Sequence, residues 1–316
     1  MNKKRYEQIN ETLYEEVLAN GLKVYILPKK DFHKTYGLFS TNYGSIDNVF
    51  GYQGESLKTV PDGIAHFLEH KLFEKEDGDI FQKFGEQGAS ANAFTSFTRT
   101  SYLFSATDQV KENLLTLLDF VQEPYFTPET VEKEKGIIGQ EIQMYQDDPV
   151  WRQFFGILNN LYPKHPLHID IAGTVESIDQ ITADDLYTCY ETFYHPSNMT
   201  LFIVGDVNPE EVLEWIQVNQ AGKKFSETKE IIREFPVETA AEIIPFSAIQ
   251  MPVNRPKAVL GIRGFQEQLP SNAKDQLVFR TGINPLLAML LGNTSHTDLQ
   301  LYQSGVIADT LGLASS

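Results

Sequence analysis

Residues 62–74 read DGIAHFLEHKLFE and place His66, Glu69 and His70 on one predicted helix. Side chains four residues apart lie one above the other on a helix, so the two imidazoles can converge on one metal ion. Glu69 lies beside them without being a ligand, which suits a general base that takes a proton from a metal-bound water. This stretch is the strongest chemical signal in the sequence.

A third metal ligand has to come from elsewhere, because catalytic zinc sites usually have three protein ligands and leave a fourth position for water. The best candidate is Glu141, within a second helical pattern at residues 128–147. Glu134 lies seven residues earlier, close to two helical turns, so the two carboxylates share a face. The sequence therefore predicts one Zn²⁺ ion per chain, held by His66, His70 and Glu141.

The order His-x-x-Glu-His reverses the better known HExxH and is the inverzincin signature. HFLEH, followed about seventy residues later by the carboxylate in GIIGQEIQMY, resembles the pitrilysin, insulin-degrading and mitochondrial processing peptidase family of zinc metallopeptidases. GASANAFTSFTRTSYLFSA resembles the strand pair that follows the zinc helix in that family, and HPSNMTLFIVGDV resembles its closing strand. The sequence is most similar to the short, bacterial, two-subunit branch.

The resemblance implies roles for individual residues. Those matching His66, His70 and Glu141 bind zinc, and the one matching Glu69 activates the water. The match to Glu134 supports the site from behind the ligands. Asn92 and Ala93 resemble the exposed edge strand that pairs with the peptide being cut and supplies main-chain hydrogen bonds. The implied activity is a zinc-dependent endopeptidase acting on peptides or small unfolded polypeptides.

Ordinary structural explanations exist for each of these residues. Two histidines can be partly buried without binding metal, a glutamate on a helix is usually solvated, and Asn92 could be a plain turn or edge residue. Two other functions also stay open: a non-proteolytic structural or assembly subunit of the same fold, and a metal-binding protein without hydrolytic activity. The intact ligand set argues against the first, and Glu69, which would be idle, argues against the second.

Composition narrows the partners and the compartment. The net charge of −17 over 316 residues argues against a nucleic-acid partner, because phosphate binding needs clustered Lys and Arg. No run of eighteen apolar residues predicts a membrane span, and the N-terminal residues lack the apolar segment of a signal peptide. Cys189, the only cysteine, cannot form an internal disulfide, and it lies in an amphipathic helical pattern unsuited to a catalytic thiol. A cytoplasmic location is therefore expected.

Strands and helices interleave without regular βαβ units, which predicts an α+β fold with helices packed on a mostly antiparallel sheet. Asn20-Gly21 predicts a two-residue hairpin turn, and a further strand is expected at 35–43. His165 and His168 are a second candidate metal pair. It is the weaker one, because the proline between them indicates a loop and not a helix that would align the two rings.

The domain prediction is a zinc-binding peptidase domain at 1–220, a linker at 221–252 and the start of a second, homologous domain at 253–316. In the second domain a strand is expected at 257–265, with helices at 275–291 and 296–304. The family is built from duplicated domains, so this second copy would be incomplete. We expect either a fragment of a longer chain or a chain whose open edges a partner covers.

One departure from the family concerns oxyanion stabilisation. Active members use an Arg and a Tyr, seven residues apart, to hold the carbonyl whose oxygen becomes negative. The aligned positions here are Tyr302 and Asp309. Tyr302 has no permanent charge, and Asp309 would repel an oxyanion. In the two-subunit branch one subunit carries zinc and the other carries this pair. We therefore expect the zinc subunit of a heterodimer, poorly active alone.

Overall fold

The computed structural model describes residues 1–264, 270, 272–308 and 311–313. The chain divides into two compact units, Met1–Glu238 with Glu242–Leu260, and Thr239–Ala241 with Gly261–Ser316. The strands of the first unit are β1 (Asn2–Tyr6), β2 (Glu11–Val17), β3 (Lys23–Pro28), β4 (Thr35–Thr41), β5 (Val49–Tyr52), β6 (Lys58–Thr59), β7 (Glu74–Lys75), β8 (Gly78–Asp79), β9 (Ala89–Thr95), β10 (Thr100–Ala106), β11 (Met199–Gly205) and β12 (Ile231–Arg233).

The helices of the first unit are α1 (Ile64–Phe73), α2 (Ile80–Glu86), α3 (Val110–Gln122), α4 (Pro128–Gln146), α5 (Pro149–Leu161), α6 (Val175–Asp179), α7 (Ala183–Phe193) and α8 (Pro209–Ala221). The second unit contributes α9 (Ala273–Leu291) and α10 (His296–Gln303). Among the described residues, none of these helices is both long and apolar enough to cross a lipid bilayer.

The main sheet has the strand order β1-β2-β3-β11-β4-β10-β9. Its neighbours pair antiparallel, apart from the parallel pair β3 and β11. Alternate side chains of β4 and β11 are buried, as expected for strands with one face on a core. That face packs against helices, with α1 and α3 contacting β10. The prediction of an α+β fold with a mostly antiparallel sheet is confirmed.

Strand β9 lies at one edge of this sheet, paired with β10 alone. The side chain of Asn92 is exposed and that of Ala93 is half-buried, and the strand alternates in this way along its length. The edge strand also contacts α1, the helix that carries the HxxEH motif. An open row of main-chain groups therefore lies beside that helix.

The predicted hairpin at Asn20-Gly21 forms, but the prediction of a two-residue turn is wrong. Strands β2 and β3 pair as far as Val17 and Lys23, and the amide of Leu18 donates to the carbonyl oxygen of Leu22 at 2.9 Å, so residues 19–21 make the loop, with only Gly21 in the left-handed region at φ 88°. The amide of Leu22 donates to Oδ1 of Asn20 at 3.2 Å, and the Leu22 side chain is fully buried. The loop therefore has three residues, one more than predicted.

The region predicted as a linker contributes to the first unit. Strand β12 pairs antiparallel with β5, and Nε of Arg233 lies 2.7 Å from Oδ1 of the buried Asp47. The domain boundaries at 220 and 252 stay predictions.

In the second unit the predicted helices at 275–291 and 296–304 are present as α9 and α10. The strand predicted at 257–265 is wrong for residues 257–264, which are irregular, while residue 265 lies outside the described residues. Leu260 and Ile262 are 87% and 88% exposed. In the part of the chain that the structure describes, no strand pairs with this segment, so its alternating residues do not become part of a sheet.

Candidate metal centre

Helix α1 begins at a turn around Gly63 that packs directly against a second turn around Gly173. The two backbones are too close there for side chains. The N-cap residue Gly63 has φ 87°, and a Cβ there would collide with the carbonyl oxygen of Ala172. A Cβ on Gly173 would lie 2.6 Å from the carbonyl oxygen of Asp62. The hydroxyl of Ser177 donates to that same oxygen at 2.8 Å. The start of the helix is thus seated against residues 172–177, which sets the position of its histidines.

His66 and His70 lie on the same side of α1, with ring centroids 4.5 Å apart. His66 is buried, and within the described structure its Nδ1 has no hydrogen-bond partner. Burial, together with the nearby His70, lowers the pKa of His66 to about 4. His66 is therefore neutral near pH 7, the state in which an imidazole can bind a metal ion.

Helix α4 brings the distant carboxylates to this pair. It begins with a capping box between Thr127 and Thr130 and has Pro128 at its first position, both strong helix starts. Its face with Ile138 and Ile142 is buried in the core, and α4 contacts α1. This packing fixes the helix rotation, so its carboxylates at positions 134 and 141 point toward α1.

Glu141 approaches both imidazoles. Its Oε1 lies 3.7 Å from Nε2 of His66, and its Oε2 lies 3.6 Å from Nε2 of His70. The three ligand atoms lie within 4.8 Å of one another, and no other group of three His, Cys, Asp or Glu side chains converges in this way among the described residues. Two imidazole nitrogens and one carboxylate oxygen are the donor set of a catalytic zinc site with an open fourth position. The residues present therefore fit zinc.

Glu134 lies behind His70 rather than among the three converging groups. Its Oε1 is 3.0 Å from Nδ1 of His70, and its side chain is buried. Burial alone would lower the pKa of His70, but the hydrogen bond to Glu134 and the charges of the surrounding glutamates outweigh it, so the pKa is raised. A carboxylate on Nδ1 directs the other ring nitrogen toward the centre.

Glu69 is buried next to the three converging side chains without being one of them. The hydroxyl of Thr95 donates to its Oε2 at 2.6 Å. Burial raises the pKa of Glu69, against the opposing effects of the Thr95 hydrogen bond and of His70. A carboxylate whose pKa is moved toward neutrality is suited to both taking and returning a proton.

Sequence reasoning missed two side chains that touch these groups. The hydroxyl of Tyr145 donates to Oε1 of Glu141 at 2.6 Å, and burial together with that carboxylate raises the pKa of Tyr145. The i, i+4 spacing of Glu141 and Tyr145 on one helix was an available signal. The contact of Thr95 with Glu69 joins a strand to a helix, and local spacing carries no signal for it.

The centre opens into a cavity of about 810 Å³ that the edge strand borders. Asn92, Ala93 and Thr95 line it on the β9 side, and Trp151 lines it from α5. The same cavity is therefore lined by all the residues predicted for the site: the metal ligands, the general base, the supporting carboxylate and the two edge-strand residues. Their individual roles stay predictions.

Four other residues were singled out from the sequence, His165 and His168 as a metal pair and Tyr302 and Asp309 as the positions aligned with the oxyanion-binding residues. His165 accepts from the amide of Leu167 at 3.1 Å, and Nδ1 of His168 lies 2.7 Å from the carbonyl oxygen of His165, so both rings hold a loop together. No second group of three potential metal ligands is found among the described residues. Tyr302, on α10, is exposed, and Asp309 lies outside the described residues.

Two histidines and a distant glutamate converge beside a buried glutamate on an α+β fold. This arrangement defines a candidate metallopeptidase site. Residues 57–175 match the family model described as insulinase, peptidase family M16, and residues 180–305 match the M16 inactive domain. The chain belongs to the M16 family of peptidases. The resemblance stated from the sequence is confirmed.

Individual relatives support this placement. Over 306 residues the chain is 56% identical to the uncharacterized zinc protease YmfH of Bacillus subtilis (strain 168), covering 96% of this chain and 71% of the relative. The crystal structure of a protein described as an M16-like peptidase from Alicyclobacillus acidocaldarius is 41% identical with a TM-score of 0.81, covering 94% of this chain and 69% of that one. The crystal structure of pitrilysin is 19% identical with a TM-score of 0.63, and the match covers 76% of this chain and 26% of the pitrilysin chain. This similarity shows the fold alone.

Proposed function

We propose that this chain is a zinc-dependent endopeptidase that hydrolyses peptides or small unfolded polypeptides. The observation that carries the proposal is the convergence of His66, His70 and Glu141 within 4.8 Å, with the buried Glu69 alongside. One zinc ion per chain would be held by those three side chains. YmfH, to which the chain is similar, is named a zinc protease, which supports this assignment.

Substrate binding is assigned to the edge strand. An extended peptide that pairs with β9 at Asn92 and Ala93 extends the sheet by one strand and satisfies open main-chain groups. The same strand carries Thr95, whose hydroxyl is bonded to Glu69. A peptide bond held along β9 is thereby brought next to the general base.

The chemistry divides between the ion and the chain. Bound zinc supplies Lewis-acid polarisation of the peptide carbonyl and lowers the pKa of water. Glu69 takes one proton from the attacking water as its oxygen forms a bond to the carbonyl carbon. Glu69 then gives that proton to the amide nitrogen as the C–N bond breaks, so a carboxylic acid and an amine leave. Thr95 holds Glu69 in place, and Glu134 holds the ring of His70.

We further propose that the active form contains a homologous partner subunit. The positions aligned with the oxyanion-binding Arg and Tyr are Tyr302 and Asp309, neither of which supplies a cation. A partner that donates these two groups would complete oxyanion stabilisation, a large share of catalysis in acyl transfer. The single cysteine, which is buried and unpaired, supports a reducing compartment such as the cytoplasm.

The test combines metal analysis with peptide cleavage. Purified protein should contain one zinc per chain and, with its co-purified partner, cleave unfolded peptides in a reaction that a chelator stops. Glu69→Gln should keep the zinc and lower kcat about 10²- to 10⁴-fold, the usual contribution of a general base. His66→Ala should lose both metal and activity. Normal cleavage by the Glu69→Gln protein would refute the mechanism.

The match of residues 180–305 to a domain described as inactive favours one alternative, a non-proteolytic subunit of the same fold. Such a subunit has no physical need for three converging ligands. A zinc-free protein that still binds its partner would support this alternative against the peptidase.

A further inference from the structure

Tyr145 lies one turn after Glu141 on α4, and its hydroxyl donates to Oε1 of that carboxylate at 2.6 Å. We propose that Tyr145 is a positioning residue for the metal centre, holding the carboxylate of Glu141 in the orientation in which it faces both imidazoles. This inference rests on the proposed function of Glu141 as a ligand. It assigns a task to a side chain outside the HxxEH and glutamate pattern.

Glu141 needs such a restraint more than the other carboxylates of the centre do, because it is the most exposed of them. Its side chain is 22% exposed, twice the 11% of the buried Glu134. Besides Tyr145, the polar contacts that the structure gives Glu141 are the two imidazoles, at 3.6 and 3.7 Å. A glutamate on a helix surface has several rotamers, so a ligand held by nothing else would have to be ordered when the ion binds.

Tyr145 is itself held in place. Its ring stacks on the indole of Trp151, with centroids 4.4 Å apart and planes inclined by 14°. The indole N–H of Trp151 donates to Oδ2 of Asp170, and Oδ1 of Asp170 accepts from the amide of Ala172 at 3.0 Å. The carbonyl of Ala172 borders Gly63, where α1 begins.

These contacts connect the two ligand-bearing helices. They run from Glu141 on α4 through Tyr145, Trp151 and Asp170 to the turn that seats the histidine helix. The carboxylate is therefore positioned relative to the same turn that positions His66 and His70. Preorganised ligands bind a metal ion more tightly than ligands ordered on binding.

The first test is the variant Tyr145→Phe, which keeps the ring stack and removes only the hydroxyl. Zinc affinity is measured by competition with a chromophoric chelator at fixed pH. Loss of a group that orients a ligand should weaken binding about 10- to 100-fold. The matched control is Tyr52→Phe, which removes a tyrosine hydroxyl bonded to the carbonyl of Glu191, and its affinity should equal that of the wild type. Equal affinity of Tyr145→Phe and wild type would overturn the inference.

A double-mutant cycle separates positioning from a general structural effect. In a Glu141→Ala background, measured with a weaker chelator, Tyr145→Phe should change zinc affinity by less than about 2-fold. The same loss in both backgrounds would show that the hydroxyl acts without Glu141 and would overturn the inference.

The two proposals fail separately: wild-type protein that binds no zinc refutes the metal centre, whereas zinc-binding wild type with an equally tight Tyr145→Phe refutes only the positioning.

Discussion

Nδ1 of His70 lies 3.0 Å from Oε1 of Glu134, seven residues before Glu141 on the same helix. One face of α4 therefore contacts the centre at two points. Glu141 is one of the converging groups, and Glu134 bonds to His70 from behind. The second contact fixes the ring orientation and tautomer of His70. It also raises the pKa of His70, which favours the protonated ring when no ion competes.

Glu134→Gln should weaken zinc binding about 10- to 100-fold, the usual effect of removing a carboxylate behind a ligating histidine. The amide keeps the size of the side chain but loses the charge that strengthens the hydrogen bond to Nδ1. Chelator competition measures the change. Glu132→Gln is the matched control, because Glu132 is an exposed glutamate on the same helix that pairs with Lys135, and its loss should leave affinity unchanged. Equal effects of the two variants would contradict the role given to Glu134.

Thr95→Val should move the acidic limb of the pH profile of kcat/KM to higher pH. The Thr95 hydroxyl donates to Glu69 and stabilises its charged form, so it lowers the pKa of that carboxyl against the effect of burial. Without the hydroxyl the pKa rises further. A general base must be unprotonated in the free enzyme, so activity is then lost at a higher pH. Thr98→Val, at the exposed tip of the β9–β10 hairpin, is the control, and a profile that does not move in Thr95→Val would contradict the role of this contact.

The sequence predicted most of the centre because much of it is local. His66, Glu69 and His70 are related by helical spacing, and Glu134 and Glu141 by two turns of a second helix. The meeting of the two helices came from family resemblance, since nothing in either pattern states a distance. Thr95 was not predictable, because a strand–helix contact between residues 26 apart leaves no periodic trace.

Two errors in the fold prediction have different origins. Residues 257–264 alternate like a strand, but strand formation requires a neighbour, and a single segment cannot report one. At Asn20-Gly21 the dipeptide predicted a hairpin correctly, but the amide of Leu18 bonds to the carbonyl of Leu22, so the loop has three residues and only Gly21 is left-handed.

Lys75 gives the protein a pH-dependent stability on the alkaline side. Its ammonium group donates to the carbonyl oxygens of Phe120, at 2.7 Å, and Glu123, at the end of α3. Burial lowers the pKa of Lys75 from 10.5 to about 8. Between these values the unfolded chain holds a proton that the folded chain has released, so the free energy of unfolding rises with pH.

The measurement is the free energy of unfolding in urea for wild type and Lys75→Met across that window. The wild type should gain stability relative to the variant as the pH rises from about 8 to 10.5, because the variant lacks only the titrating side chain at position 75 and the other groups are common to both proteins. Below the window the difference should be constant. A difference that is flat throughout, or that falls as the pH rises, would show that the Lys75 ammonium is not destabilised by burial.

Gly63→Ala should destabilise the protein more than Gly54→Ala, although both glycines have nearly the same backbone conformation, φ 87° and 84°. An alanine at either position bears the left-handed strain of about 1–2 kcal/mol. At Gly54 nothing lies within 4 Å of the added Cβ, whereas at Gly63 it would meet the carbonyl of Ala172, part of a backbone that cannot rotate away. Overpacking of this kind costs about 1–3 kcal/mol more.

Urea unfolding measures the stability of both variants. Zinc affinity should fall only in Gly63→Ala, because the displaced helix carries His66 and His70. Equal free energies of unfolding, with zinc binding intact in both, would mean that α1 starts elsewhere than on this turn.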